Sequence, residues 1–405
     1  MVSNTSVRNG VGCGLFALCW VVGSAARAQA DAAPVAPPSA AASDAVADGG
    51  ALRIAGYNKT LFITTSTMDP DNQPYTQALN RLRLKLDYTK SEHFTAHVEE
   101  DVTLQAGNYL NTTAFQFEKN APTRQYWRDG STFGNESSYY GTQKLFRAYA
   151  KFSAGAADLT VGRQRIALGT GRMWSTLDML NPINPLQVER DEYVGVDAAL
   201  LQYRVGALSR ASLIYAPDPA RSSDRWVGQY RTNIKGSDLA FTYGKYWGDH
   251  FAGVDLATQI GDAGVRAEWT YTSPASGSRY QKMLLGVDYE FANTLTFSGE
   301  VYYSGQDRQE RLAQFVQNPL LAQVVPFDSR YAGLSVTYEF TPLFKTANYF
   351  LYNLRDHSRF ISPTLTYSPA DNVLIAGGVQ FFSGGEGSDF GRGKNLRYIQ
   401  LQWFF

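Results

Sequence analysis

The 405-residue chain balances 37 Lys and Arg against 37 Asp and Glu, so bulk charge gives no case for a nucleic-acid binder. Its two cysteines, Cys13 and Cys19, fall near the start, which excludes a disulfide scaffold or a thiol metal site in the body of the chain. Aromatics make up 14% of residues, but beyond the N-terminus no run approaches about 18 apolar residues, so no membrane-spanning helix is expected.

Arg8 supplies a positive n-region, Val11 to Val22 an apolar h-region, and Ala26-Arg27-Ala28 an A-x-A cleavage site. Residues 1–28 therefore read as a secretory signal peptide. Without Arg8 and Arg27 the remaining chain carries two more acids than bases. Residues 29–50 are rich in Ala, Pro and Ser and read as a disordered leader on the periplasmic side, too poor in large apolar groups to build a core.

From residue 51 to 405 the chain is a series of segments of about ten residues with period-two alternation. Leu82, Leu84, Leu86 and Tyr88 alternate with Arg81, Arg83, Lys85 and Asp87; Phe94, Ala96 and Val98 alternate with Thr95, His97, Glu99 and Asp101. Val265, Ala267, Trp269 and Tyr271 oppose Arg266, Glu268 and Thr270. Leu295, Phe297, Gly299, Val301 and Tyr303 oppose Thr296, Ser298 and Glu300. About eighteen such segments fit the chain. Short links fall near 89–93, 154–157, 205–208, 235–237, 260–263, 291–294, 341–342 and 368–371. The links between them are mostly longer, chiefly 107–142, 169–191, 304–329 and 383–394. Alternating short and long links, with aromatics such as Trp226, Tyr243, Trp269 and Tyr338 near strand ends, predict an all-β fold. It is a transmembrane up-and-down antiparallel barrel of about 18 strands. The last segment, Leu396 to Phe405, places Ile399, Leu401 and Trp403 on one face and ends on an aromatic, as a strand that seals a closed barrel would. A secreted β-sandwich or β-helix is the soluble alternative, but its turns need not alternate in length.

Charge on the polar faces supplies the candidate site. Arg81, Arg83, Lys85, Arg147, Lys151, Arg163, Arg165 and Arg172 are read as lining the lumen, with Arg163, Arg165 and Arg172 taken as the arginines unmatched by acids. The segment after Arg172 carries Trp174, Asp178, Asn181, Asn184 and Arg190, with two Asn-Pro pairs that stiffen it, and reads as a loop that narrows the barrel mouth. The competing reading pairs these arginines with Asp178, Glu189, Asp191 and Glu192 to pin the loop to the wall. Leu312, Phe315, Val316, Leu320 and Leu321 hint at a short amphipathic helix capping the barrel.

The run Gly162-Arg163-Gln164, followed by a Gly-Arg and Asn-Pro loop, resembles large outer-membrane channels of the alginate-export family. That resemblance implies an 18-strand barrel with an arginine-rich lumen that passes an acidic polymer, and transfers only to Gly162, Arg163 and Gln164. The expectation is a passive channel of the bacterial outer membrane for a small polar or anionic solute or an acidic polysaccharide. Its partners would be outer-membrane lipids and the barrel-assembly machinery. The alternative is a surface scaffold or adhesin-like barrel that binds through long loops bearing Tyr109, Tyr126, Trp127, Tyr139 and Tyr140. No enzyme, cofactor or metal is expected. His93 and His97 would lie about 13 Å apart along a strand, and His357-Ser358 is an isolated neighbour pair.

Overall fold

The computed structural model describes residues 43–47, 50–68, 72–120, 125–135, 138–181, 183–189, 195–218, 224–311 and 328–405. The alternating segments form strands that pair antiparallel with their neighbours in chain order. In order they are β2 (Gly50–Ser66), β3 (Pro74–Ser91), β4 (Phe94–Ala106), β6 (Tyr139–Ala154), β7 (Ala157–Gln164) and β8 (Val196–Arg204). β9 (Ser209–Ala216), β10 (Arg225–Ile234), β11 (Ser237–Tyr246), β12 (Asp249–Ile260), β13 (Ala263–Ser273) and β14 (Tyr280–Glu290) follow. The set ends with β15 (Thr296–Ser304), β16 (Arg330–Thr341), β17 (Phe344–Asn353), β18 (Arg359–Ala370), β19 (Val373–Ser383) and β20 (Leu396–Phe404). β20 pairs with β19 and with β2, from Tyr57↔Phe404 to Thr64↔Arg397, and so closes an 18-stranded barrel. Phe405 completes the seam, its backbone exchanging hydrogen bonds of 2.8 and 3.0 Å with Gly56.

Two further strands lie outside this ring. β5 (Ser131–Asn135) pairs with β6 beyond the point where β7 stops, and so extends the wall upward. β1 (Ser43–Ala47) pairs with Gly50–Ile54 of β2. Residues 29–50 were expected to be disordered throughout, and this strand corrects that expectation. The physical reason is the stagger of the seam: β20 ends opposite Tyr57, so the first residues of β2 would present an unpaired edge, and the returning chain satisfies it. The signal-peptide reading of 1–28 and the amphipathic pattern at Leu312, Phe315, Val316, Leu320 and Leu321 lie outside the described residues.

Links at one end of the barrel are short, such as 155–156, 235–236, 261–262 and 371–372. The other end carries 107–138, 165–195, 305–329 and 384–395. Among the described residues no helix is long and apolar enough to cross a membrane; the strands supply the crossing. Their alternation sorts side chains into two classes. One is apolar and uncovered: on β20, Ile399, Leu401 and Trp403 are 55%, 50% and 49% exposed, and Leu84, Phe241, Leu285 and Tyr367 show the same on other strands. A band of this kind around a closed sheet is stable in hydrocarbon and not in water. The other class faces inward and is charged or polar. In the link 107–138, Thr112 Oγ1 caps the helix Thr113–Lys119 by accepting from Phe115 N at 3.2 Å. Tyr109, Leu110 and Phe115 then pack together against Tyr75 and Tyr140.

Candidate functional site

The segment between β7 and β8 does not stay at the rim. It contacts β12, β13, β15, β16, β19, β2 and β3, which lie on different sides of a closed sheet, so it runs through the lumen. Two inward-facing acids of the wall hold its first half. Glu268 on β13 accepts from the backbone N–H of Thr170, Gly171 and Thr176 at 2.6, 2.7 and 2.6 Å, and from the hydroxyls of Ser175 and Thr176. Glu300 on β15 accepts from the N–H of Arg172, Met173 and Trp174 at 2.6, 2.8 and 3.3 Å. Successive backbone N–H groups folded around one carboxylate make a fixed anion cradle, here filled by the protein's own wall.

Apolar contacts complete the docking. Met173 and Trp174 lie on Gly333 of β16, where a Cβ would stand 2.9 Å from the indole. Trp174 then packs against the rings of Tyr302 and Tyr331, at centroid distances of 6.1 and 5.7 Å. Leu177 sits over Gly253 of β12, where a Cβ would come within 2.6 Å of Leu177 Cδ2. Ile166, Leu168, Leu177 and Leu180 cluster with Val196, Ile214, Val227 and Phe251 along the inside of β8–β12. The loop also bonds to itself: Asn181 Oδ1 accepts from Ile166 N at 2.9 Å, and Asp178 Oδ1 from Asn181 N at 2.9 Å. Burial pushes the Asp178 carboxyl up to about 7, against the pull of its backbone donors. Asn184 Oδ1 accepts from Leu186 N at 3.0 Å and holds the turn that follows. The loop's far end returns to the opposite wall: Leu186 O accepts from Gln380 Nε2 at 3.1 Å, and Glu189 reaches Lys59 and Arg81.

That second wall carries a basic row. Arg83 makes a two-pronged bond to Asp101 at 2.6 and 2.7 Å, lies 3.5 Å from Glu99, and stacks on Phe146 at 3.3 Å. Its register partner is Asp101, that of Lys85 is Glu99, and that of Asp87 is His97. His97 bridges Asp87 and Glu99 at 2.5 and 2.8 Å, and Arg147 lies 3.6 Å from Glu99. The ion-pair reading of Glu99 and Asp101 is the observed arrangement. Five cations, Lys59, Arg81, Arg83, Lys85 and Arg147, face four acids, Asp87, Glu99, Asp101 and Glu189, in this stretch. Lys151 pairs with Asp158 at 3.5 Å beside the short turn 155–156, away from this row. The facing wall is richer in acid. Asp255, Asp288 and Glu300 bind Arg231 and Arg266, and among the described residues Glu268 binds the loop's N–H and hydroxyl groups.

Arg163 and Arg172 are not the unmatched arginines the sequence suggested. Arg163, only 1% exposed, binds Asp197 at 2.8 Å, Asp129 at 2.8 Å and two backbone carbonyls. It also does not face the lumen. It shares its alternation class with the exposed Val161, and its partner Asp197 shares that of the exposed Leu201 and Tyr203. The side chain therefore points outward at the top of β7, where it pins the segment Trp127–Asp129 to the barrel exterior. Arg172 lies 3.5 Å from Asp288, in the network of Arg266. Arg165 is exposed where the loop begins. Arg190, Asp191 and Glu192 lie outside the described residues. The sequence reading placed Lys59 in no role and left Glu268 and Glu300 as ordinary strand acids. Their only signal was an acid on an inward-facing position flanked two residues away by Thr270 or Ser298, and this pattern is not specific.

Fold and lumen together define a membrane-spanning β-barrel of porin architecture. No family model and no curated protein matches the sequence. Solved structures do. The outer-membrane protein OpdK of Pseudomonas aeruginosa matches with a TM-score of 0.56 at 10% identity, over 87% of this chain and 98% of that one. Acinetobacter baumannii OccAB4 matches with a TM-score of 0.55 at 9% identity, over 87% and 98%. Pseudomonas aeruginosa OccK2 (OpdF), solved in complex with glucuronate, matches with a TM-score of 0.53 at 9% identity, again over 87% and 98%.

Proposed function

We propose that the protein is a passive channel of the bacterial outer membrane for small polar solutes, with a preference for anions. The observation that carries the reading is the basic row Lys59, Arg81, Arg83, Lys85 and Arg147 on the inner wall, opposite the acid-rich wall of β12–β15 and beside a loop that crosses the lumen. Fixed charges of opposite sign on facing walls set up a transverse field that orients polar solutes, and the excess of cations along one path raises local anion concentration. The glucuronate held by OccK2 is a solute of this chemistry. An acidic polymer, as the alginate-export resemblance implied, is the less favoured cargo because the loop 165–189 lies across its path.

The test is the reversal potential of purified protein in planar bilayers under a salt gradient. Anion preference is expected, reduced in Arg81→Ala/Lys85→Ala and unchanged in Arg163→Ala. Cation selectivity, or no conductance, defeats the reading. A second reading rests on Phe117, Trp127 and Phe133, which stay exposed on the segment 107–138 and would suit a surface partner. Binding lost in Phe117→Ser/Trp127→Ser with conductance intact would favour it.

A further inference from the structure

Lys59 on β2 and Arg81 on β3 are direct register partners. Two like charges side by side on neighbouring strands repel unless an anion lies between them. The anion present is Glu189, from the far end of the lumen loop. Its Oε1 accepts from Lys59 Nζ at 3.0 Å and from Arg81 Nη1 at 2.8 Å, and its Oε2 from Arg81 Nη2 at 3.1 Å. This is the two-pronged fork by which a guanidinium recognises any carboxylate. The two cations belong to the rigid wall, whereas the carboxylate belongs to a tethered loop.

We propose that Lys59 and Arg81 form a carboxylate seat occupied at rest by Glu189, and that a permeating carboxylate exchanges with Glu189 and unlatches the far end of the loop. The inference deepens the proposed anion channel and rests on it. Three features support the exchange. The seat survives the loss of its occupant, because Arg81 Nε stays 3.7 Å from Asp101 and Lys59 lies over the Tyr57 ring at 5.2 Å. The two ends of the loop are held differently: six backbone N–H groups on Glu268 and Glu300 fix residues 170–176, while at the far end Glu189 fills the seat and Leu186 bonds to Gln380 and packs against the cluster of Trp174, Tyr331 and Phe390. A tethered carboxylate also competes at an effective concentration in the millimolar range, which a solute can match. Glu189 thereby makes the seat selective: a chloride ion cannot reproduce the fork, and a carboxylate can.

The experiment uses gluconate as the probe in planar bilayers held in potassium chloride, and reads the gluconate concentration that produces half of the change in chloride conductance. The wild type is expected to show a saturable response. In Glu189→Gln the latch is gone, so the response left is gluconate's own occupancy of the seat, and its half-effect concentration should fall about tenfold without the tethered competitor. Adding Lys59→Gln to that background should reverse the fall. The native cysteines, Cys13 and Cys19, lie in the segment read as the leader, so a Lys59→Cys/Glu189→Cys pair can be bridged selectively by a bis-methanethiosulfonate reagent, whose arm replaces the two long side chains that now meet at their tips. Locking the latch should abolish the gluconate response, and reduction should restore it. No saturable response in the wild type, an unchanged half-effect concentration in Glu189→Gln, or a full response from the bridged pair overturns the proposal. Reversal potentials from the same membranes separate the two readings. Anion preference with an indifferent Glu189→Gln refutes the seat alone, and absence of anion preference refutes the channel reading beneath it.

Discussion

Replacing Glu268 with alanine tests whether the wall cradle holds the loop in the lumen. The carboxylate is buried and accepts from three backbone N–H groups and two hydroxyls. A hydrogen bond to a charged group contributes about 1.5–3 kcal/mol, and a buried donor left without a partner costs about 1–3 kcal/mol. These terms overlap, and the hydroxyls can turn to other acceptors, so the three N–H groups dominate the loss. Docking of residues 170–176 should weaken by about 4 kcal/mol. Glu300 still holds Arg172, Met173 and Trp174, and Leu177 still rests on Gly253, so the loop should open locally without unfolding the barrel. An opening free energy lower by about 4 kcal/mol speeds amide exchange by roughly a thousandfold where exchange follows local opening. The assay is hydrogen exchange at Thr170, Gly171 and Thr176, beside single-channel conductance, which should rise as the loop leaves the lumen. Glu268→Gln keeps one oxygen acceptor and should fall between wild type and alanine. Unchanged protection at those three amides, with unchanged conductance in Glu268→Ala, would refute the reasoning.

Asp178 gives the loop a pH dependence. Its carboxyl is raised from 3.8 to about 7, so the folded loop binds the proton more tightly than the open one. Docking should therefore weaken as pH rises from about 4 to about 7 and level off above that. Asp178→Asn should abolish the trend while keeping the acceptor for Asn181 N, as read by exchange at residues 178–181 across that range. Arg163→Ala leaves the buried Asp197 and the half-buried Asp129 without their counter-charge and should destabilise the exterior segment by about 3 kcal/mol. Limited proteolysis near Trp127 should report the release, and heat-resistant barrel migration on a gel should persist.

The alternation of Leu82, Leu84 and Leu86 with Arg81, Arg83 and Lys85 was enough to specify a strand with one face for hydrocarbon and one for polar surroundings. This period-two pattern is local, and each residue reports its own face. Link lengths added strand order and the two unlike ends, and the terminal Trp403 and Phe405 marked the closing seam. The ion pairs of Glu99 and Asp101 were also within reach, because consecutive strands are neighbours and register follows from a two-residue turn at 92–93.

The site lay further off. Arg163 looked like a lumen arginine because its strand neighbours are regular, but only the count of alternation from Val161 and the partner Asp197 put it outside. Lys59, Glu189, Glu268 and Glu300 carry no distinguishing local pattern. Their roles arise from contacts across 92 to 130 residues of chain, made when a loop crosses a closed barrel. Local stereochemistry determined which residues face lipid and which face inward. Only the tertiary structure decided which inward charges meet, because that depends on where the loop between β7 and β8 lands on walls whose strands lie far from it in the sequence, β2 and β3 before it and β12–β19 after it.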